Sequence, residues 1–333
     1  MFRSTADAEI RQALATYSPG STRGAQHAGY TRVCLQLFGL SGHGKSSLIN
    51  SCLCVVKNDV FSNTARSANS NVTITMARKE YKLANCVYII DNRGLNTLAE
   101  EEVLELSAQL NNLRMASSEN EEATGKDSDV EWEPGVEKIL SHLDELINKN
   151  CTDFLVPVLV YNLKSTIIQK NKQQFEKMID TAYGATGLHP IIVLTKHEPY
   201  YSIGKVVYQF TDLGCLHIIP LENYTPQNPR RNPETDEKIL NFLKVCLQEA
   251  DRLIQRKHNP DLRKVMMRKI AARIVSEEEK MKVQLESLKK ELQTTKEKVK
   301  DEMLKKMFKF FCYFLLTCFI IASNYLAYKT KQA

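Results

Sequence analysis

Several absences narrow the field. The nine cysteines (34, 52, 54, 86, 151, 215, 246, 312 and 318) are odd in number and show neither disulfide-framework nor zinc-ligand spacing, and several lie within apolar runs. That pattern favours buried thiols in a reducing compartment. The opening residues, Met1-Phe2-Arg3-Ser4-Thr5-Ala6-Asp7, lack the apolar core of a secretory signal. The seven histidines (27, 43, 142, 189, 197, 217 and 258) are scattered and form no protease or metalloenzyme constellation. A general excess of positive charge is missing too. Residues 260–333 hold 17 Lys and Arg against 9 Asp and Glu, a net of +8, which leaves the rest of a chain of net +6 at −2. A nucleic-acid binder is basic over its binding domain, so no nucleic-acid partner is expected, and a basic C-terminal third points to a membrane surface. The lone tryptophan, Trp132, has no explanation in the sequence.

What is present fits a globular protein with extensions: 333 residues, 43% hydrophobic and 25% charged. The most informative run is Gly39-Leu40-Ser41-Gly42-His43-Gly44-Lys45-Ser46, which fits the phosphate-binding loop G-x-x-x-x-G-K-[ST]. An apolar strand, 33–38, precedes it, and a helical pattern from Ser47 follows it. Glycines let backbone N–H groups turn inward around a polyphosphate, and the helix N-terminus faces the same anion. Lys45 would reach the β- and γ-phosphates and Ser46 would ligate Mg²⁺.

Strands are expected at 71–76 and 86–90, the second ending in Asp91-Asn92-Arg93-Gly94. An Asp at a strand end after such a loop is where a second Mg²⁺-associated carboxylate belongs, and Gly94 allows a backbone N–H to approach a γ-phosphate. An acidic stretch, about 117–135, reads as a mobile surface loop. Further strands are expected at 154–161, 190–194 and 215–219, with helices at 171–183, 202–210 and 234–256. Apolar strands alternating with helices specify an α/β fold with a mainly parallel sheet covered by helices, whose ligands bind at the strands' carboxyl ends. There the base of a nucleotide would also meet residues 221–223; Asn223 is equally readable as a loop residue without a ligand.

With Gly39–Ser46, a Thr in the 73–75 region, Asp91-x-x-Gly94 and Thr195-Lys196-x-Glu198 in this order, residues 30–256 resemble Ras-like, translation-factor-type GTPases. Details at 45–51 and 72–75 are similar to immunity-related GTPases and the GIMAP group; 50–56 and 250–252 resemble relatives of interferon-induced protein 44. The resemblance implies a P-loop GTPase fold binding GTP/GDP and Mg²⁺. It implies that Thr73 or Thr75 touches Mg²⁺ and the γ-phosphate, that Lys196 packs over a purine, and that Glu198, where the family carries Asp, reads guanine. The nucleotide would then contact Gly39, Ser41, Gly42, His43, Gly44, Lys45, Ser46, Ser47, Thr73, Asp91, Gly94, Thr195, Lys196, Glu198 and Asn223. Ser46, Thr75 and Asp91 would hold the metal, with Lys45, Ser46, Thr75 and Gly94 at the reacting phosphate. Departures are Leu95, where such enzymes carry a water-orienting Gln, and Arg93, where many carry Pro. Arg93 or His43 is either a phosphate-charge stabiliser or, respectively, a solvated cation and a side chain turned outward.

The C-terminal third divides further. Residues 262–274 form a basic amphipathic helix that either touches lipid headgroups or packs on the preceding domain. Met281, Leu285, Leu288, Leu292, Thr295, Val299 and Met303 make a short heptad seam, which serves a self-associating stalk or a single solvated helix. From Phe310 to Tyr328 no residue is charged; nineteen residues at about 1.5 Å give roughly 28 Å, close to the thickness of a bilayer core. Lysines 305, 306 and 309 flank one end and 329 and 331 the other.

The expected organisation is therefore an N-terminal extension (1–29), a nucleotide domain (30–258), a basic helical or coiled-coil stalk (259–306) and a C-terminal transmembrane helix (307–333). This is a tail-anchored GTPase on the cytosolic face of the endoplasmic reticulum or the mitochondrial outer membrane. Slow hydrolysis is expected; self-association as a homodimer through the nucleotide domain or the stalk stays open beside a single solvated stalk helix. A nucleotide-holding scaffold with negligible hydrolysis is the alternative. A P-loop kinase or ATPase is disfavoured by Thr195-Lys196-x-Glu198.

Overall fold

The computed structural model describes residues 3–25, 28–65, 78–114, 117–118, 137–165, 167–195, 203–256 and 259–330. In chain order the elements are α1 (Arg3–Thr16), β1 (Arg32–Phe38), α2 (Lys45–Lys57), β2 (Lys79–Lys82), β3 (Val87–Asp91), α3 (Glu100–Leu110), β4 (Ser117–Ser118), α4 (Glu137–Ser141) and α5 (Leu143–Asn150). They continue as β5 (Asp153–Asn162), α6 (Ile167–Lys170), α7 (Lys172–Thr186), β6 (Ile191–Thr195), α8 (Ile203–Asp212), β7 (Ile218–Pro220), α9 (Pro233–Ile254) and α10 (Pro260–Thr330).

The strands form one sheet in the order β4-β2-β3-β1-β5-β6-β7. The central pairs β3-β1, β1-β5, β5-β6 and β6-β7 are parallel; β2 pairs antiparallel with β3, and β4 pairs parallel with β2. Burial on both faces explains the unbroken apolar runs: β1 is buried from Val33 to Phe38 and β5 from Asp153 to Tyr161. Alternate residues then serve opposite layers. Val33, Leu35 and Leu37 join α2 and α9 in one core, whereas Phe38, Leu159 and Tyr161 join α7 and α8 in the other. The expected α/β class and mainly parallel, helix-covered sheet are thus present.

Two features go beyond the sequence reading. β2, Lys79-Glu80-Tyr81-Lys82, carries no strand expectation in the sequence; it lies between β3 and the two-residue β4, with Tyr81 buried, Lys79 and Glu80 half-buried and Lys82 exposed. The expected strand at 71–76 lies outside the described residues, as do 119–136 of the acidic stretch with Trp132; Ser117–Ser118 pair with β2. Residues 1–29, expected as an extension, contribute Leu14 and Tyr17 to the main core.

The chain divides into two compact units, Met1–Val275 and Ser276–Ala333. Within the first unit, Met267, Ala271 and Ile274 of α10 cluster with Ala108, Leu113, Ile139 and Ile147. Of the two alternatives for 262–274, packing on the domain is the one observed. In the second unit the seam residues Leu285, Leu288, Leu292, Val299 and Met303 are exposed, and Thr295 bonds back to the Glu291 carbonyl (2.8 Å). Among the described residues no helix is long and apolar enough to cross a membrane; the side chains of 322–330 lie outside them.

Candidate functional site

The turn between β1 and α2 needs backbone that few residues adopt. Gly39, Gly42 and Gly44 stand at φ 133°, 74° and 96°. At Gly39 a Cβ would lie 2.5 Å from the Val160 carbonyl oxygen. Gly39→Ala is therefore expected to destabilise the fold by about 3 kcal/mol through strain and overlap. Helical Gly184, with nothing within 4 Å of an added Cβ, is the control: Gly184→Ala should gain roughly 0.5–1 kcal/mol. Denaturant midpoints of the two variants check the contrast.

Lys45 opens α2 and is buried, 7% exposed, with its Nζ donating to the carbonyls of Gly39 and Leu40 (3.1 Å each). Burial lowers its pKa from 10.5 to about 8; neighbouring Asp91 pushes it up and Arg93 down. Ser46 Oγ donates to Asp91 Oδ2 (2.9 Å) at the end of β3. Gly94 completes the cluster: a Cβ there would come within 2.8 Å of Ser41 Oγ and 2.9 Å of Lys45 Nζ. The segment after it is bonded to the turn, with Leu95 N donating to Gly39 O (3.1 Å) and Ser41 N to Leu95 O (2.9 Å). Ser41 Oγ adds a bond to Asn96 Oδ1 (3.1 Å).

The ends of β6 and β7 reach the same turn. Thr195 Oγ1 donates to His43 O (2.7 Å), and Asn223 Nδ2 donates to Gly44 O (3.2 Å). Asn223 Oδ1 is buried without a partner among the described residues. His43 is buried, 6% exposed, its Nδ1 accepting from Asn162 N (3.3 Å) and its ring edge-on to Tyr161 (5.3 Å). Its side chain is therefore not turned outward. Arg93 is also buried and pairs with Glu102 (2.8 Å), so it is not a solvated cation. Leu95, 1% exposed, joins the core beside Leu40, Leu106 and Leu110.

The structure thus gathers Gly39, Ser41, Gly42, His43, Gly44, Lys45, Ser46, Asp91, Gly94, Thr195 and Asn223 at one edge of the sheet. Ser47 is the third residue of α2, its carbonyl accepting from Ser51 Oγ (2.8 Å). Thr73, Thr75, Lys196 and Glu198 lie outside the described residues. Among the described residues no group of three His, Cys, Asp or Glu could hold a metal. Ser46 and Asp91 alone suit a Mg²⁺ ion that takes its remaining ligands from phosphate and water. The sequence reading missed Asn92, Gln36, Arg78 and Asn112, which form a buried polar file behind Asp91. Their signal was visible in Gln36, a polar residue inside an apolar strand. Compared with known proteins, the chain matches no family model and no curated protein sequence.

Proposed function

We propose that the chain is a P-loop GTP-binding protein, a slow GTPase whose nucleotide state controls self-association or partner docking on the cytosolic face of an organelle. The observation that carries this reading is the meeting of a glycine-built turn, a buried lysine and a serine–aspartate pair at the carboxyl ends of β1 and β3. Lys45 donates to backbone carbonyls and can donate instead to phosphate oxygens, a charge-assisted exchange. Backbone N–H groups of the turn and the N-terminus of α2 add positive potential at the same point. Ser46 and Asp91 would hold Mg²⁺, which neutralises charge on the β- and γ-phosphates.

Guanine preference rests on Thr195-Lys196-x-Glu198, since guanine offers a carboxylate two adjacent donors and adenine does not. Asn223 Oδ1, a buried acceptor without a partner among the described residues, suits a further N–H of a purine. Slow hydrolysis follows from Leu95, whose side chain is packed in the core and has no group to orient a water. The same observation favours the second reading, a nucleotide-holding scaffold. The uncharged run 310–328 is the proposed bilayer anchor, and the exposed seam of α10 the proposed self-association surface.

Turnover of GTP by the full chain in detergent, followed across protein concentrations, tests this. Slow release of GDP and phosphate that quickens with concentration is expected. A brisk, concentration-independent rate contradicts the reading; tight GTP binding without release selects the scaffold.

A further inference from the structure

A file of buried polar side chains leads from the residue after Asp91 to the first turns of α10. Asn92 Nδ2 donates to Gln36 Oε1 (2.9 Å) and Leu37 O (3.0 Å), and Gln36 Nε2 donates to Asn112 Oδ1 (2.7 Å). Asn112 Nδ2 donates to Asp153 Oδ2 (3.1 Å), which Arg32 grips through two bonds of 2.7 Å. Arg78 threads the file, donating to Asn92 Oδ1 (2.9 Å), Gln36 Oε1 (3.2 Å), Arg114 O (2.9 Å) and Asn112 Oδ1. Gln36 and Asn92 are fully buried, Asn112 and Asp153 nearly so.

The far end of the file touches α10 in two unlike ways. Asn112 stands at φ 57°, just past α3, and its neighbour Asn111 accepts at its carbonyl from Arg263 Nη2 (3.3 Å). Leu113 and Ala108, on either side, share a core cluster with Met267, Ala271 and Ile274. Arg263 is itself buried, 8% exposed.

We propose that this file and the Arg263 contact transmit a change at the phosphate site to residues 260–275. The inference rests on the nucleotide-binding reading and goes beyond it by naming the transmitting residues. Asn92 is covalently next to Asp91, so a rearrangement of that strand end pulls on the file. Buried amides that lose a partner are left unpaired, so a satisfied network shifts as a block or exchanges partners; it does not deform gradually. Both ends of such a device respond reciprocally.

Amide hydrogen exchange of the full chain in detergent, with GDP and with a non-hydrolysable GTP analogue, each with Mg²⁺, tests the proposal. Both nucleotides should protect 39–46. Exchange at 108–114 and 260–275 should differ between them by about fivefold or more, the low end of measured couplings. In Arg263→Ala the difference at 260–275 should vanish while that at 108–114 and the protection of 39–46 remain; Arg263→Lys, which keeps a donor, should restore it. Equal exchange at 260–275 in the wild type, despite a protected 39–46, overturns the proposal. So does a difference that survives undiminished in Arg263→Ala. Absence of protection at 39–46 with any nucleotide instead overturns the nucleotide-binding reading, and the proposal with it.

Discussion

Asp251→Ala should lower the melting temperature of the full chain by about 10 °C. Asp251, in α9, is fully buried and accepts from Tyr17 OH (2.5 Å), Gly20 N (2.7 Å), Thr22 N (2.9 Å) and Thr22 Oγ1 (2.5 Å). These bonds pin the N-terminal segment to α9, and burial together with the Asp251 bond raises the Tyr17 pKa far above its usual value. Removing the carboxylate leaves buried donors unpaired, at about 3–5 kcal/mol in total. A unit of this size loses roughly 2–4 °C per kcal/mol. Circular dichroism melts of wild type, Asp251→Ala and the isosteric Asp251→Asn measure it, with Asn expected between the two. A shift of Asp251→Ala below about 2 °C would mean that the segment is held by apolar contacts alone.

Lys45→Ala should weaken nucleotide binding by roughly 10- to 100-fold. A charge-assisted hydrogen bond contributes about 1.5–3 kcal/mol, and each 1.4 kcal/mol is tenfold in affinity. The pKa of about 8 adds a signature of opposite signs. As pH rises through about 8, the folded lysine loses its proton and its attraction for phosphate, so nucleotide affinity should fall. Folding stability moves the other way. The unfolded lysine keeps its proton up to about 10.5, so between about 8 and 10.5 the unfolded state binds more protons and stability rises with pH. Lys45→Met should abolish both trends. Titration calorimetry and denaturant midpoints from pH 7 to 10 give the two profiles, and parallel profiles for wild type and Lys45→Met would contradict the role assigned to Lys45.

Much of the site was legible because its chemistry demands fixed spacing. The glycines, Lys45, Ser46 and Asp91 are bound to a strand–turn–helix order that a sequence displays directly. Strand runs such as 154–161 were legible because burial on both faces removes polar residues. What was hidden depends on partners distant in sequence. Tyr17 and Asp251 are 234 residues apart, and nothing local marks either as the other's partner. Gln36 looks like an interruption of a strand until Asn92, Arg78 and Asn112 arrive around it. The sequence leaves the placement of Arg93 and His43 open for a similar reason: Glu102 and Tyr161, which draw them inward, belong to other elements. Residues 262–274 carry an amphipathic pattern that suits lipid or protein equally, and the apolar residues of α3, α4 and α5 supply the protein.

The central claim is a Mg²⁺-dependent guanine-nucleotide site at the turn after β1. Equilibrium binding of GTP, GDP and ATP to the full chain, with magnesium and with chelator, tests it most directly. The account predicts saturable GTP and GDP binding, weaker ATP binding, and loss of GTP affinity when magnesium is removed. No binding of GTP or GDP at millimolar concentration in the presence of magnesium would contradict it.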